Sequence, residues 1–475
     1  MACCSNMELI LYAPFRLPLN LDSQRFSVDP SAFSRLWKKA QKQIPPAMKL
    51  DLPEEDSNLR ALPRFTTMSE PANNLRKYLL FSSDLGRNSK EVEDWLEDAR
   101  QIADGEVFPE NMRGQLQPCG EGELAGCEYS LGLMRLHVEV RPLTGETPAL
   151  AFESLAPYVD EWTNQFVSQF VDHVFQKWLT PLLRALRSAD RQIGENLLRS
   201  PANYQAIHDL RSELDSNAVA FKAGYEPVMW VGRMLCLAPG ELENSACLES
   251  WAPALSAARE VTEPDSGTGV IISWGNGVIR RPPGCVISAA VHRAILRGQY
   301  FNAAFDLCSV NATHLYRHVG LQMEKPSAAT ARAVNRRASQ LGGMIEMLVL
   351  DYQETLQGMQ GADRSWLWEI RNQWGLDEVS DALQHKLALV RSRTHELNEL
   401  RELRNQRAIE LLLLFVGSIG VLDLGFSISR FADPDLGNGV VATALKWPPA
   451  PTAFLLSIAL VTFLLGSAVF LRRHR

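Results

Sequence analysis

The sequence predicts an α+β cytoplasmic head followed by a long stalk helix and two transmembrane helices. Three observations carry that expectation. Glu378 to Glu410 is a charged helical stretch that runs without a break into the apolar run Leu411 to Leu422. A second apolar run, Thr452 to Leu471, holds no charged residue and ends in Arg472-Arg473-His474-Arg475. Ahead of both, short alternating apolar segments of strand type are mixed with long segments of helical period.

The first part of the head, residues 1–150, is rich in proline and turn formers. Met7 to Tyr12 and Leu131 to Val140 read as strands, the second alternating through Leu136, Val138 and Val140. The second part, residues 151–326, opens on a helical stripe: Leu155, Val159, Trp162, Phe166, Phe170, Val174, Trp178, Leu182 and Leu186 recur every three or four residues. A long packing helix follows from that spacing, bent at Pro181. The aromatic stripe is read as core rather than as a cofactor box. Val228 to Leu237 reads as a strand, and Gly269 to Ser273 and Val278 to Arg280 flank Trp274-Gly275-Asn276-Gly277, where Asn276-Gly277 signals a hairpin turn. Gly267-Thr268-Gly269 is half of a phosphate loop with no continuation, so the hairpin reading is favoured.

Helices are expected over Val286 to His318, Ala328 to Leu356 and Arg364 to Trp374, and residues 327–408 form the stalk region. In the last helix Leu383, Leu387, Val390, Leu397 and Leu400 line one side, while Arg391, Arg393, Glu396, Glu399, Arg401 and Glu402 surround the rest. A narrow apolar seam in a charged helix suits packing beside copies of itself.

A bilayer core about 30 Å thick needs roughly 20 mostly apolar residues in a helix. Thr452 to Leu471 meets that length, and Leu411 to Leu422 reaches it if the helix continues through Asp423 to about Ser429. The expected spans are therefore 409–429 and 452–471, joined by a loop over 430–451 and closed by a basic tail at 472–475. Arg391, Arg393, Arg401, Arg404 and Arg407 precede the first span and Arg472, Arg473 and Arg475 follow the second, whereas the loop holds only Arg430 and Lys446. This bias places both termini in the cytoplasm. The N-terminus has neither the basic start nor the apolar core of a secretory signal.

Charged residues make up 22% and hydrophobic residues 46% of the chain, ordinary globular values, and 48 Lys plus Arg against 55 Asp plus Glu leave a net charge of -7. An acidic balance argues against direct nucleic-acid binding. The eight cysteines are scattered with no CxxC, and in a reducing cytosol they are expected as thiols.

The order of strands, helices, a long amphipathic helix entering a first span, a short outer loop, a second span and a basic tail resembles the CorA-type magnesium channel family. That resemblance implies a funnel-like homo-oligomer, a pentamer, in which the stalk helix continues into a pore-lining span. The family's Gly-Met-Asn tripeptide is absent. Leu424-Gly425-Phe426-Ser427 stands in its place, so the glycine corresponds to Gly425 and the other two positions become Phe426 and Ser427. Phenylalanine offers no polar group and serine is a weaker partner than asparagine, which argues against selective handling of hydrated magnesium.

Asp423 asks for an explanation of its own. A lipid-facing aspartate near the centre of a span costs about 2.5 to 3.5 kcal/mol, so it is expected to face a bundle interior or water. It shares a helical face with Val416, Gly420 and Ser427, and Gly417 and Gly420 allow close helix approach. In a symmetric oligomer these would line a pore with an acidic ring, a cation-favouring arrangement. The alternative is a helix that leaves the membrane near Leu422.

Other chemistry is thin. His314 and His318 lie four apart without a third ligand, His395-Glu396 belongs to the stalk pattern, and Arg332, Arg336, Arg337, Glu346, Asp351 and Glu354 read as a solvated helix face. No nucleophile, kinase or nucleotide-binding signature appears, so no enzymatic activity and no cofactor is expected, although a divalent cation is compatible. The large head implies a ligand or partner whose binding biases the pore. The resulting expectation is a cation-permeable channel or membrane effector of the bacterial inner membrane, gated by a small molecule or nucleotide, similar to CorA-like effectors of antiphage defence. The alternatives are a divalent metal transporter and a membrane-anchored interaction module without conduction.

Overall fold

The computed structural model describes residues 7–16, 79–84, 90–127, 131–179, 181, 227–238, 248, 251, 260–262, 267–273, 275–282, 287–324 and 328–431. Its elements are β1 (Glu8–Arg16), β2 (Leu79–Asp84), α1 (Lys90–Val107), β3 (Leu116–Cys127), β4 (Leu131–Val140), α2 (Pro148–His173), β5 (Gly232–Leu237), β6 (Val261–Thr262), β7 (Gly269–Ile272), β8 (Asn276–Arg280), α3 (Ala289–Glu324), α4 (Ala328–Gly358), α5 (Gly361–Gln373) and α6 (Leu376–Phe431). The eight strands form one mixed sheet in the order β2-β3-β4-β1-β5-β8-β7-β6. Only β5 and β8 run parallel; every other neighbouring pair is antiparallel.

Strand period decides what each face of the sheet carries. On β1, Leu9, Leu11, Ala13 and Phe15 point one way and join Met134, Leu136 and Val138 of β4 and Leu235 of β5 in a buried core. Helices α1 and α2 cover that face. Val92, Trp95, Leu96, Ala99 and Ala103 come from α1, and the stripe Leu155, Val159, Trp162, Phe166 and Phe170 from α2. Trp162 stacks on Phe166 with ring centroids 4.9 Å apart, and its indole Nε1 donates to Asp104 Oδ1 at 2.8 Å, so the one polar atom of this large buried side chain is satisfied. Helix α2 begins where Thr147 Oγ1 accepts a hydrogen bond from the Leu150 amide at 3.3 Å with Pro148 in the first turn. It ends in a π turn, Val174–Leu179, before Pro181.

The second face of the sheet carries Glu8, Ile10 and Tyr12 of β1, Met234 and Cys236 of β5, and Ile279 of β8. Helices α3 and α5 meet it. Gln299 of α3 approaches so closely to β5 that a Cβ at Gly232 would collide with it, and the Trp374 indole donates to Ser273 O at 3.1 Å. Gly375, with φ of 56°, takes the left-handed conformation that separates α5 from α6.

The hairpin turn lies one step earlier than the Asn276-Gly277 signal. Both residues are inside β8, and Gly275, with φ of 85°, makes the turn. Asn276 is held in the strand because its side-chain amide donates to Trp251 O at 2.8 Å.

The chain divides into two compact units, Met1–Tyr316 with Arg336–Val390, and Arg317–Asn335 with Arg391–Arg475. The first contains the sheet. In the second, the side chains of Asn335 and Asn398 exchange hydrogen bonds at 2.9 and 3.3 Å, tying α4 to α6.

The membrane architecture expected from the sequence is corrected by the fold. Among the described residues no helix is long and apolar enough to cross a membrane. Helix α6 does run unbroken through the expected first span. However, its apolar stretch with described side chains, Leu411–Val421, covers about 16 Å at 1.5 Å per residue, roughly half of a bilayer core. The expected funnel of two transmembrane helices, and with it the multi-pass inner-membrane location, is not supported. The second expected span, 452–471, the loop and the basic tail lie outside the described residues.

Candidate functional site

The sheet face that meets α3 carries a polar cluster where an apolar core would be the simpler solution. Its members follow from register. Tyr12 of β1 lies opposite Arg135 of β4, Ile10 opposite His137, and Glu8 opposite Cys236 of β5, so Glu8, Tyr12, Arg135, His137 and Cys236 share one face. Glu123 of β3 lies opposite Arg135. The start of α3 adds His292, and the segment after β8 adds Arg281, whose amide donates to Leu237 O at 2.9 Å.

Three hydrogen-bonded contacts and one contact between rings organise the cluster. The Tyr12 hydroxyl lies 2.6 Å from His292 Nδ1. Glu8 Oε1 pairs with His137 Nδ1 in a short contact, and Glu8 Oε2 accepts from Arg281 Nη2 at 3.2 Å. The imidazoles of His137 and His292 stand 6.0 Å apart between ring centroids. Arg135 is looser: its Nη2 is 4.0 Å from Glu123, and its buried Nε has no hydrogen-bond partner among the described residues.

Burial and charge set the protonation states. Burial drives the His292 imidazole down to about 3, and neighbouring Arg135 and His137 push the same way, so the ring is neutral near pH 7. Burial raises the Tyr12 phenol and the Cys236 thiol far above their ordinary values. Glu8 is pulled both ways: burial raises it, but the His137 hydrogen bond and the charges of His137, Arg281 and Arg135 win, and its carboxyl sits below the usual range. The cluster therefore presents a carboxylate, two guanidinium groups, and neutral phenol, thiol and imidazole.

Two other polar groups are structural ties. On the core face, Arg233 of β5 donates to Thr163 Oγ1, Asp160 O, Asn164 Oδ1 and Asn276 Oδ1, which closes its fork within the fold. Between α3 and α5, Arg293 forms a two-pronged contact to Asp363 at 3.1 and 2.9 Å.

The residues singled out in the sequence lie elsewhere, on α6. Leu383, Leu387, Val390 and Leu397 are buried within the single chain, while Leu400 is exposed. Val416 and Gly420 are exposed. Asp423, Gly425, Phe426 and Ser427 fall within the helical span of α6, and their side chains are outside the described set. No group of three or more His, Cys, Asp or Glu side chains among the described residues is arranged to hold a metal ion.

The polar cluster was not read from the sequence. A signal was present in β4: Arg135, His137 and Glu139 occupy every second position of an otherwise apolar strand, a pattern that marks one face as polar. No protein-family description, curated protein or solved structure matches the chain.

Proposed function

We propose that this chain is a ligand-responsive binding module whose α/β unit captures a small anion, bearing phosphate or carboxylate, at the cluster of Arg135, Arg281, His137 and Tyr12. The observation that carries the reading is the Arg135 side chain. A buried guanidinium N–H without an acceptor costs about 1–3 kcal/mol or more, and its planar fork is suited to two oxygens of one anion. Glu123, at 4.0 Å, is too distant to supply that partner by a hydrogen bond.

The protonation states favour binding over catalysis. An imidazole that titrates at about 3 is no general base at neutral pH, and a phenol and thiol raised by burial are poor nucleophiles. The same neutral groups are serviceable hydrogen-bond partners.

Occupancy has a natural reporter in α3. That helix brings His292 to the cluster at its start, and its last turns from Arg317 belong to the second unit. A ligand that ordered the first turn of α3 would bias one helix shared by both units, which is the population-shift logic of a sensor.

Thermal unfolding of the intact chain tests this reading with inorganic phosphate, acetate and a nucleoside monophosphate. The expected result is a concentration-dependent rise in Tm of several degrees with at least one anion, as mass action requires. Arg135→Gln should abolish that rise. An identical rise in the variant, or none in the parent chain with any of the three, would overturn the proposal.

A further inference from the structure

The cluster around Arg135 offers acceptors as well as donors, and that balance narrows the anion it suits. Glu123 is the cross-strand partner of Arg135, and its carboxyl oxygen lies 4.0 Å from Nη2, too far to be spent on a hydrogen bond to it. His137 is the next residue on the same face of β4, about 7 Å along the strand. Glu8 holds that ring through Nδ1 and also accepts from Nη2 of Arg281. These five side chains keep between 11% and 32% of their surface open, so a small ion can reach them.

Glu8 decides how the imidazole is used. Its carboxyl sits below the usual range, so both oxygens accept and neither donates. His137 must therefore supply the hydrogen from Nδ1, and in the uncharged ring Nε2 is left with a lone pair. Arg135 thus has one acceptor on the neighbouring strand, the Glu123 carboxyl, and another along its own, His137 Nε2.

We infer, on the anion reading above, that the site takes an oxyanion bringing its own O–H, inorganic hydrogen phosphate, in preference to sulfate or a bare carboxylate. The Arg135 fork takes two of the phosphate oxygens, and the phosphate hydroxyl donates to one of the two flanking acceptors. Sulfate has the same tetrahedral shape and the same charge as the hydrogen phosphate dianion, but it has no hydrogen to give. Seated on Arg135, it turns lone pairs toward lone pairs. Acetate fails in the same way. A site whose acceptors await a ligand hydroxyl rejects the analogue that lacks one, because those acceptors are then left unmet.

Calorimetric titration of the full chain at pH 8 tests this, since inorganic phosphate keeps one O–H there and sulfate has none. Sodium phosphate, sulfate and acetate are compared at equal ionic strength. Phosphate is expected to bind at least tenfold more tightly than either of the others, and Arg135→Gln should lose it. Glu123→Met, at a partly exposed position, and His137→Phe remove the two acceptors one at a time, and the preference for phosphate over sulfate should fall at least threefold in one or both. Sulfate or acetate bound as tightly as phosphate by the parent chain, or a preference unchanged in both acceptor variants, overturns this inference and leaves the anion reading standing. Binding of none of the three anions, or phosphate binding that survives Arg135→Gln, overturns both.

Discussion

The Tyr12 hydroxyl sits 2.6 Å from Nδ1 of His292, which ties an interior strand of the sheet to the first turn of α3 across 280 residues of sequence. Tyr12 is fully buried, and its phenol is held protonated by that burial beside a neutral imidazole, so the two groups share one hydrogen bond whose direction follows the imidazole tautomer. Tyr12→Phe keeps the ring in place and removes only the hydroxyl. The expected cost is about 1–2 kcal/mol, because a half-buried imidazole nitrogen is left without its bond. Urea denaturation at pH 7 should show a lower midpoint with an unchanged slope.

The same imidazole gives the fold a dependence on pH. His292 titrates at about 3 in the folded chain against 6.5 as an ordinary histidine, so between those values the unfolded state binds a proton that the folded state does not. Its contribution is present in full above about 6.5 and is lost as pH falls toward 3, with a slope of up to about 1.4 kcal/mol per pH unit. Glu8 acts in the same direction at lower pH. Its folded pKa is depressed, so its contribution is present above the ordinary carboxyl value of 4.5 and falls away as pH drops below it. Denaturation at pH 7, 6, 5 and 4 should show falling stability, and His292→Gln should flatten the part between 6.5 and 4.5.

Arg233 illustrates a different use of a buried cation. Its guanidinium is buried on the core face, and its N–H groups are met by Thr163, Asn164 and Asp160 O of α2 and by Asn276 of β8. One side chain thus fastens a helix and two strands. Arg233→Ala is expected to cost about 3 kcal/mol, since it opens a cavity and strips several buried acceptors of their donor. Arg233→Lys cannot reproduce the fork and should recover only part of that loss in the same denaturation assay.

What was legible beforehand depended on whether a pattern was local. β4 coincides with the segment Leu131–Val140 because strand alternation is written in consecutive residues. The stripe from Leu155 to Trp178 is buried because a helical period defines one face on its own. The polar cluster is different. Glu8, His137 and His292 meet only because β1 pairs with β4 and α3 crosses that face, and no local window contains them. On α6 Leu383, Leu387, Val390 and Leu397 are buried within the single chain, whereas Leu400 extends the same period and is exposed. Periodicity records which residues share a side and not how far a neighbour covers it. The apolar run after Glu410 shows the same difficulty: hydropathy marks a surface in need of cover without saying what covers it.

Phe15 and Gly132 are cross-strand partners on β1 and β4, and the phenyl ring lies over the glycine so closely that a Cβ there would overlap it. The ring also meets Phe175 edge-on, with centroids 6.1 Å apart, so it cannot swing aside without breaking a second core contact. Gly132→Ala should therefore be destabilising by about 2–3 kcal/mol, although alanine is ordinarily at least as good as glycine in a strand. Phe15→Leu alone should cost about 1–2 kcal/mol by leaving a void over the glycine. Because the two changes share one space, the double variant should be more stable than the sum predicts by about 1 kcal/mol or more. Denaturation of the four chains in a double-mutant cycle measures that coupling. Strict additivity would show that the ring does not rest on the glycine.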